Sequence, residues 1–172
     1  MQKGDNQMTV SKITEVRQYL TFKLEGETFA LDVVKVREIL DYSNITKVPQ
    51  TPEFMKGVIN LRGSVVPVVD MRLKFNMPLL EKTVDTCIIV VEISIENEAT
   101  ILGALVDSVQ EVFELEPASI EAAPRIGTKL RTDFILGMGK REEQFVIILD
   151  IDKVFSSEEL DMVHSMKTDA AA

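Results

Sequence analysis

The sequence has little of what enzyme chemistry requires. Its 172 residues include one histidine, His164, one cysteine, Cys87, and no tryptophan. A zinc site needs several His or Cys ligands, and a Ser-His-Asp or Cys-His group needs a histidine held against its nucleophile. His164 stands in a polar C-terminal segment without a neighbouring cysteine. We therefore predict a chain without catalytic residues, metal ligands or a cofactor.

The glycine spacing and the charge balance argue against binding of phosphate groups. The glycines at 57, 63, 137 and 139 form neither a P-loop nor a dinucleotide-binding motif. There are 19 Lys and Arg residues against 28 Asp and Glu, and the net charge is −9. Such a surface repels nucleic-acid backbones and anionic lipid headgroups. No nucleic-acid partner is therefore expected. A nucleic-acid-binding β-barrel remains the less favoured alternative, because it would need a basic face with aromatic side chains for stacking.

Cysteine pairs and long apolar runs are also missing. One cysteine cannot form an internal disulfide, and the apolar run at 86–91 predicts that Cys87 is a small buried side chain. Residues 1–14 are polar. The apolar runs elsewhere fall far short of the roughly 20 residues that a membrane span needs. These features predict a cytoplasmic protein without direct membrane insertion.

The sequence is rich in apolar residues that alternate with polar ones, which is typical of β-strands. Leu20, Phe22 and Leu24 share one face and a turn at 25–27 follows, so a hairpin is predicted. Further strands are predicted at 57–61, 65–70, 86–93, 100–106 and 145–149. The pattern therefore indicates a mainly β protein.

Helical elements are expected to be few and short. Apolar residues at helical spacing after Asp32 predict a helix at 33–40, and a capping box at 156–159 predicts a C-terminal helix at 157–166. Asp70 and Asp150 each end a strand and precede a helix-like turn, so helix capping is a simpler role for them than a paired-carboxylate site.

An internal repeat relates the two halves of the chain. Val36 to Ile39 match Val109 to Val112 at a spacing of 73 residues, and a larger set matches at a spacing of 80: Phe54/Phe134, Gly57/Gly137, Val66/Val146, Asp70/Asp150 and Phe75/Phe155. The difference indicates extra residues around 127–133. Two small β units would each remove their sheet edges by curling into a barrel, and a groove between them would suit a partner's helix or strand.

One charged pair is a candidate for the rim of that groove. Arg62 lies in a strand-to-turn element, where an arginine is usually a solvated cation. Glu38, on the predicted short helix, offers it a carboxylate, and an Arg–carboxylate pair fixes the geometry of a binding surface. For Val36, Ile39, Val109 and Val112, core packing and exposed contact both remain open, with core favoured by periodicity.

Residues 57–72, GVINLRGSVVPVVDMR, closely resemble the signature of CheW-type coupling proteins of bacterial chemotaxis. Residues 29–39 and 103–109 are similar to the family's first helix region and its second-half counterpart, and the resemblance covers about residues 16–166. It implies one domain of two SH3-like five-stranded β-barrels. The expected bounds are 16–82 and 83–156 for the barrels, 157–166 for the C-terminal helix, and flexible tails at 1–15 and 167–172.

The resemblance also implies a function. Proteins of this family have no catalytic activity and bridge methyl-accepting chemotaxis receptors to the regulatory domain of the histidine kinase CheA. Motif matches would place five residues toward the receptor: Val36, Glu38, Arg62, Cys87 and Val109. Four would lie toward the kinase: Ile39, Ile45, Gly57 and Val58. A regulatory barrel that serves a histidine kinase outside chemotaxis is the alternative.

The first testable prediction concerns chemistry. Because the sequence lacks a phosphate loop and a His or Cys constellation, the purified protein is expected neither to bind nor to hydrolyse ATP. Isothermal titration calorimetry with ATP and magnesium checks this, and binding in the micromolar range would contradict it.

Overall fold

The computed structural model describes residues 15–79, 81–95, 97–122, 133–156, 158–159 and 161–162. Within these residues lie eleven β-strands, a four-residue α-helix, α1 (Met71–Lys74), and short 3-10 helices. The strands are β1 (Arg17–Leu24), β2 (Glu27–Asp32), β3 (Val36–Asp41), β4 (Met55–Leu61), β5 (Ser64–Asp70), β6 (Cys87–Ile95), β7 (Glu98–Val106), β8 (Ser108–Leu115), β9 (Ile120–Glu121), β10 (Ile135–Arg141) and β11 (Gln144–Leu149). The 3-10 helices are Val33–Lys35, Pro117–Ser119 and Ile151–Lys153.

The strands form two sheets, which confirms the predicted fold class. The five-stranded sheet has the order β3-β6-β7-β5-β4, and the six-stranded sheet has the order β8-β1-β2-β11-β10-β9. The sixth strand, β9, has two residues, and its counterpart in the other sheet is an isolated bridge between Thr46 and Val58. The two sheets are therefore variations on one five-stranded plan.

Each sheet is completed by a hairpin from the other half of the chain. The β1–β2 hairpin belongs to the sheet of β8–β11, and the β6–β7 hairpin belongs to the sheet of β3–β5. The junctions are parallel in both sheets, β2 against β11 and β7 against β5. The expected barrel bounds, 16–82 and 83–156, therefore do not separate the two sheets. A sequence repeat identifies two copies, but tertiary pairing decides which copy completes which sheet.

The repeat itself extends to backbone detail. The N–H groups of Asp70 and Asp150 donate to the carbonyls of Phe54 and Phe134, both at 2.7 Å. The Asp70 carboxylate caps α1, and that of Asp150 caps the 3-10 helix at Ile151–Lys153. The predicted capping role of both aspartates is confirmed.

A central core lies between the two sheets. It combines Phe22 and Leu31 of the exchanged β1–β2 hairpin with Ile89 and Leu102 of the β6–β7 hairpin. A smaller apolar cluster packs on the opposite face of each sheet. Full burial of one such side chain contributes about 1.5–3 kcal/mol, so this shared core holds the two halves together.

The helix predicted at 33–40 is wrong. A 3-10 helix capped by Asp32 ends at Lys35, and β3 then pairs with β6. A β-bulge between Val36 and Glu38 adds one residue to β3, so Val36 and Ile39 both face the central core side of the sheet. This three-residue spacing imitates a helical repeat in the sequence.

The predicted capping box forms at the C-terminal end. The Ser156 N–H donates to Glu159 Oε1 at 2.8 Å, and the Glu159 N–H donates to Ser156 Oγ at 3.2 Å. Residues 158–159 and 161–162 are helical. The rest of the helix expected at 157–166, both expected tails apart from Glu15, and the expected insertion apart from Asp133 lie outside the described residues.

An ion pair holds the point at which the chain passes from the five-stranded to the six-stranded sheet. Asp107 is the single residue between β7 and β8. Its carboxylate accepts hydrogen bonds from Arg72 Nε at 2.7 Å and from the Glu25 N–H at 2.8 Å. The Arg72 side chain is 7% exposed and that of Asp107 is 23% exposed, so water screens this pair weakly. We call this contact the first interlock.

The opposite crossing has an equivalent contact, the second interlock. Lys35, in the connection between β2 and β3, donates to Asp152 Oδ2 at 2.8 Å. Asp152 Oδ1 accepts the backbone N–H of Ser94 at 2.9 Å. Both crossings are therefore fixed by a carboxylate that binds one cation and one hairpin N–H group.

The second prediction concerns the acid stability given by the first interlock. Burial raises the pKa of Asp107, but hydrogen bonds from Arg72 and Glu25 outweigh burial and hold the pKa below its usual value. The carboxylate therefore stabilises the fold above the unfolded-state pKa of about 4. This contribution is lost as the pH falls through the lower folded-state pKa.

We expect Asp107→Asn to lower the free energy of unfolding by about 2–3 kcal/mol at pH 7, and the difference from the wild type to shrink below pH of about 4. Urea denaturation at several pH values measures it. Glu111→Gln, in an exposed pair, is the control and should differ little from the wild type. An Asp107→Asn effect that is independent of pH would contradict the assignment.

Candidate functional site

An ion pair spans the gap between the two edge strands of the five-stranded sheet, β3 and β4, which we call its open seam. Glu38 lies on edge strand β3, and Arg62 lies in the two-residue turn after edge strand β4. Arg62 Nη1 donates to Glu38 Oε2 at 2.6 Å, and Nη2 donates to Oε1 at 2.9 Å. The contact is bidentate, which fixes both side chains. The predicted pair therefore forms, although Glu38 is on a strand and not on a helix. The groove beside it lies within the five-stranded sheet and not between the two β units, where the sequence predicts it.

The sequence of this seam explains its geometry. Arg62 adopts a φ of +52° and Gly63 a φ of +88°, as a two-residue hairpin turn requires. The Arg62 side chain is 73% exposed and that of Glu38 is 25% exposed. The hydrogen bonds from Arg62 lower the pKa of Glu38, so the pair stays charged at neutral pH.

The groove beside this pair has an apolar floor. Leu61, Val90 and Ile101 line it together with the ion pair and Arg37, which itself contacts Glu92. An apolar floor with a charged rim suits a protein partner. The sequence analysis missed these floor residues, because only the pairing of β3, β6 and β7 brings them to one seam.

The six-stranded sheet has a corresponding seam with different chemistry. Glu111 on edge strand β8 contacts Arg141 at the end of β10, and the Arg141 guanidinium lies 4.2 Å from the ring centre of Phe113. The surrounding groove is mostly polar and includes Thr21, Lys23, Thr28, Gln110 and Gln144. The two seams therefore share an ion pair and differ in the floor, which favours the Glu38–Arg62 seam as the apolar contact site.

Three of the predicted receptor-facing residues lie at the margin of the central core. Val36 and Val109 are half-buried against it, and Cys87 is 8% exposed. Burial raises the pKa of the Cys87 thiol, whereas the Val109 backbone N–H lowers it in part. Val36 faces Val91, which is four residues or about 13 Å along β6 from Cys87. The structure thus joins Cys87 to Val109 and separates Val36 from Cys87.

The predicted kinase-facing residues differ widely in exposure. The Ile39 side chain is 45% exposed on β3, whereas Ile45 is half-buried against the cluster inside the five-stranded sheet. Gly57 and Val58 are buried in β4. Of the four, Ile39 is the residue that exposes a large apolar side chain at the surface.

Gly57 has a structural role that its neighbours explain. Its φ is +145°, and a Cβ atom there would lie 2.0 Å from the carbonyl oxygen of Thr46. This close approach allows Thr46 and Val58 to exchange two backbone hydrogen bonds, of 2.8 and 2.9 Å. The equivalent Gly137 is approached less closely: a Cβ atom there would lie 2.6 Å from the Ile120 side chain and 2.9 Å from the carbonyl oxygen of Glu121.

The described residues contain no group of three or more His, Cys, Asp or Glu side chains that could hold a metal ion. None of the helices in that part of the chain is long and apolar enough to cross a membrane.

Two linked, curled sheets with an apolar-floored groove and a charged rim define a class of protein-interaction domain. Comparison with known proteins gives the family. The CheW-like domain matches residues 18–159, and the chain belongs to the CheW-like family.

Relatives in several bacteria support this membership. The chain is 36% identical to the chemotaxis protein CheW of Klebsiella aerogenes, over 92% of this chain and 95% of that protein. It is 33% identical to the chemotaxis protein CheW of Bacillus subtilis, over 86% of this chain and 92% of that protein.

A solved structure agrees with the sequence relatives. The crystal structure of the scaffolding protein TtCheW from Thermoanaerobacter tengcongensis matches with a TM-score of 0.73 and 35% identity, over 83% of this chain and 94% of that chain. The chain is therefore a chemotaxis coupling scaffold of the CheW type. None of these matches supports the nucleic-acid or non-chemotaxis alternatives.

The third prediction tests the role of Gly57. Gly57→Ala should lower the free energy of unfolding by about 3 kcal/mol, because the new methyl group collides with the Thr46 carbonyl. Gly63→Ala is the matched control: it also has a positive φ but has no atom within 4 Å of its Cβ position, and should cost about 1 kcal/mol. Chemical denaturation measures both free energies of unfolding. Equal losses would show that the Thr46 carbonyl does not restrict the side chain at position 57.

Proposed function

We propose that this scaffold couples methyl-accepting chemotaxis receptors to the histidine kinase CheA in the cytoplasm, without catalysis of its own. The observation that carries the proposal is the bidentate Glu38–Arg62 pair across the β3–β4 seam, beside an apolar floor. A coupling protein needs two separate contact surfaces and no reactive group. The sequence, with its single cysteine and histidine, fits that requirement.

The receptor surface would contain Glu38 and Arg62, with Val36, Cys87 and Val109 at the margin of the central core. The mutual bonds of Glu38 and Arg62 hold both charges in place before a partner arrives, which lowers the ordering cost of binding. Val36 and Val109 are half-buried, so each still offers part of its side chain. Cys87 would act by supporting Val109, because it is buried beneath the surface.

The kinase surface would contain Ile39, Ile45, Gly57 and Val58. The exposed Ile39 would supply the apolar contact. Ile45 and Val58 would shape the surface from below, because Gly57 permits the segment at 45–46 to pair closely with β4. Of the four residues, Ile39 would thus touch the kinase, and the other three would hold the surface in shape.

The fourth prediction tests the receptor surface with charge reversals. Glu38→Arg and Arg62→Glu should each weaken binding of a receptor cytoplasmic fragment about tenfold, since each leaves two like charges at the groove rim. The double variant E38R/R62E should recover part of the affinity by restoring the pair. Fluorescence anisotropy measures the receptor affinity, and denaturation verifies that each variant is folded.

The second seam provides matched controls. Glu111→Arg and Arg141→Glu break an exposed Glu–Arg pair above a polar floor and should leave the receptor affinity within about twofold of the wild type. The CheA regulatory domain should bind all of these variants normally. Equal losses at both seams, or additive losses in the Glu38–Arg62 cycle, would show that the proposed groove is not the receptor site.

A further inference from the structure

The two interlocks occupy equivalent places in the repeat but have opposite polarity. Arg72 and Asp152 lie at the spacing of 80 residues, each two positions after its capping aspartate. Arg72 binds a carboxylate, Asp107, whereas Asp152 binds an ammonium group, Lys35. The partners lie at the two connections that carry the chain from one sheet to the other. The same contact is therefore made twice, with its charges exchanged.

This exchange distributes the charges unevenly between the repeats. The first repeat, residues 17–74, contributes both cations, Lys35 and Arg72. The second repeat, residues 87–153, contributes both anions, Asp107 and Asp152. Pairing between a first and a second repeat satisfies both interlocks. Pairing of two first repeats would place Lys35 against Arg72, and pairing of two second repeats would place Asp107 against Asp152.

We propose that the inverted interlocks specify which repeats exchange hairpins, and that they act against pairing of like repeats between two copies of this chain. The disfavoured partner is thus a second copy of the same chain, docked through the hairpin-exchange surface. This proposal is independent of the receptor and kinase contacts.

The rest of the exchange surface discriminates weakly between the repeats. Both junctions are parallel strand pairs, and both hairpins present apolar side chains to the central core: leucine and phenylalanine from β1–β2, and aliphatic side chains from β6–β7. Apolar burial is not directional, so it tolerates the wrong repeat better than a charged contact does. Like charges in place of a partly buried ion pair reject the wrong partner, and this is a known source of specificity.

The fifth prediction uses charge exchange within the full chain. K35D/D152K keeps an ion pair in the native fold but gives each repeat one cation and one anion, so like repeats become complementary. After refolding at high concentration, the dimer fraction should rise about tenfold above the wild type, equivalent to about 1.4 kcal/mol. The quadruple variant K35D/R72D/D107K/D152K inverts both interlocks and should return to the wild-type fraction. Size-exclusion chromatography with light scattering measures the dimer.

Two controls separate charge pattern from lost stability. E111R/R141E inverts an ion pair within the second repeat and should leave the dimer fraction unchanged. If the quadruple variant does not fold, Lys35→Asp is compared with Lys35→Ala, and the aspartate should give the larger dimer fraction. Two copies can also swap hairpins so that each first repeat pairs with the second repeat of the other copy. Such a dimer keeps all native contacts, so it contributes the same background dimer fraction in every variant. A dimer fraction that stays at the wild-type value in K35D/D152K, or that follows stability across the series, would overturn the proposal.

Discussion

The fold depends on one constraint: neither half of the chain can complete its own sheet. The β1–β2 hairpin must pair with β8 and β11, and the β6–β7 hairpin must pair with β3 and β5. The central core forms only when both hairpins are in place, because each supplies one of its faces. The two halves are thereby tied into one cooperative unit. For a coupling scaffold, this means that partner surfaces on either sheet rest on the same core.

The two sheets share some features of the duplication and differ in others. Each sheet has an open seam crossed by a Glu–Arg pair, but only the glutamates are equivalent, because at the spacing of 80 residues Arg62 corresponds to Glu142 and Arg141 to Leu61. Each sheet also has a bulged edge strand that turns a valine toward the central core. The floors of the seams differ, apolar under Glu38 and Arg62 and polar under Glu111 and Arg141. The five-stranded sheet therefore has a groove with an apolar floor where the six-stranded sheet has a polar one. This difference lies in side chains that come together through strand pairing and not through the local strand pattern.

The site was partly predictable because its signals are local. The Glu38–Arg62 pair was anticipated from charge and position, and the capping roles of Asp70 and Asp150 followed from their places at strand ends. The β-bulge in β3 was not anticipated, since two apolar residues three apart resemble a helical face. The close approach of Thr46 to Gly57 was also not anticipated, because Thr46 lies outside the regular strands and meets β4 through an isolated bridge that no residue pattern predicts.

The sequence by itself determined the β character, the repeat and the turns. These depend on alternation, spacing and residue type, which are properties of short segments. Tertiary structure alone decided which hairpin completes which sheet and how the seam floors differ. It also decided that Arg72 meets Asp107 while Lys35 meets Asp152. Such choices depend on contacts between distant segments that bury a shared core, and a strand carries no local mark of the neighbour with which it will pair.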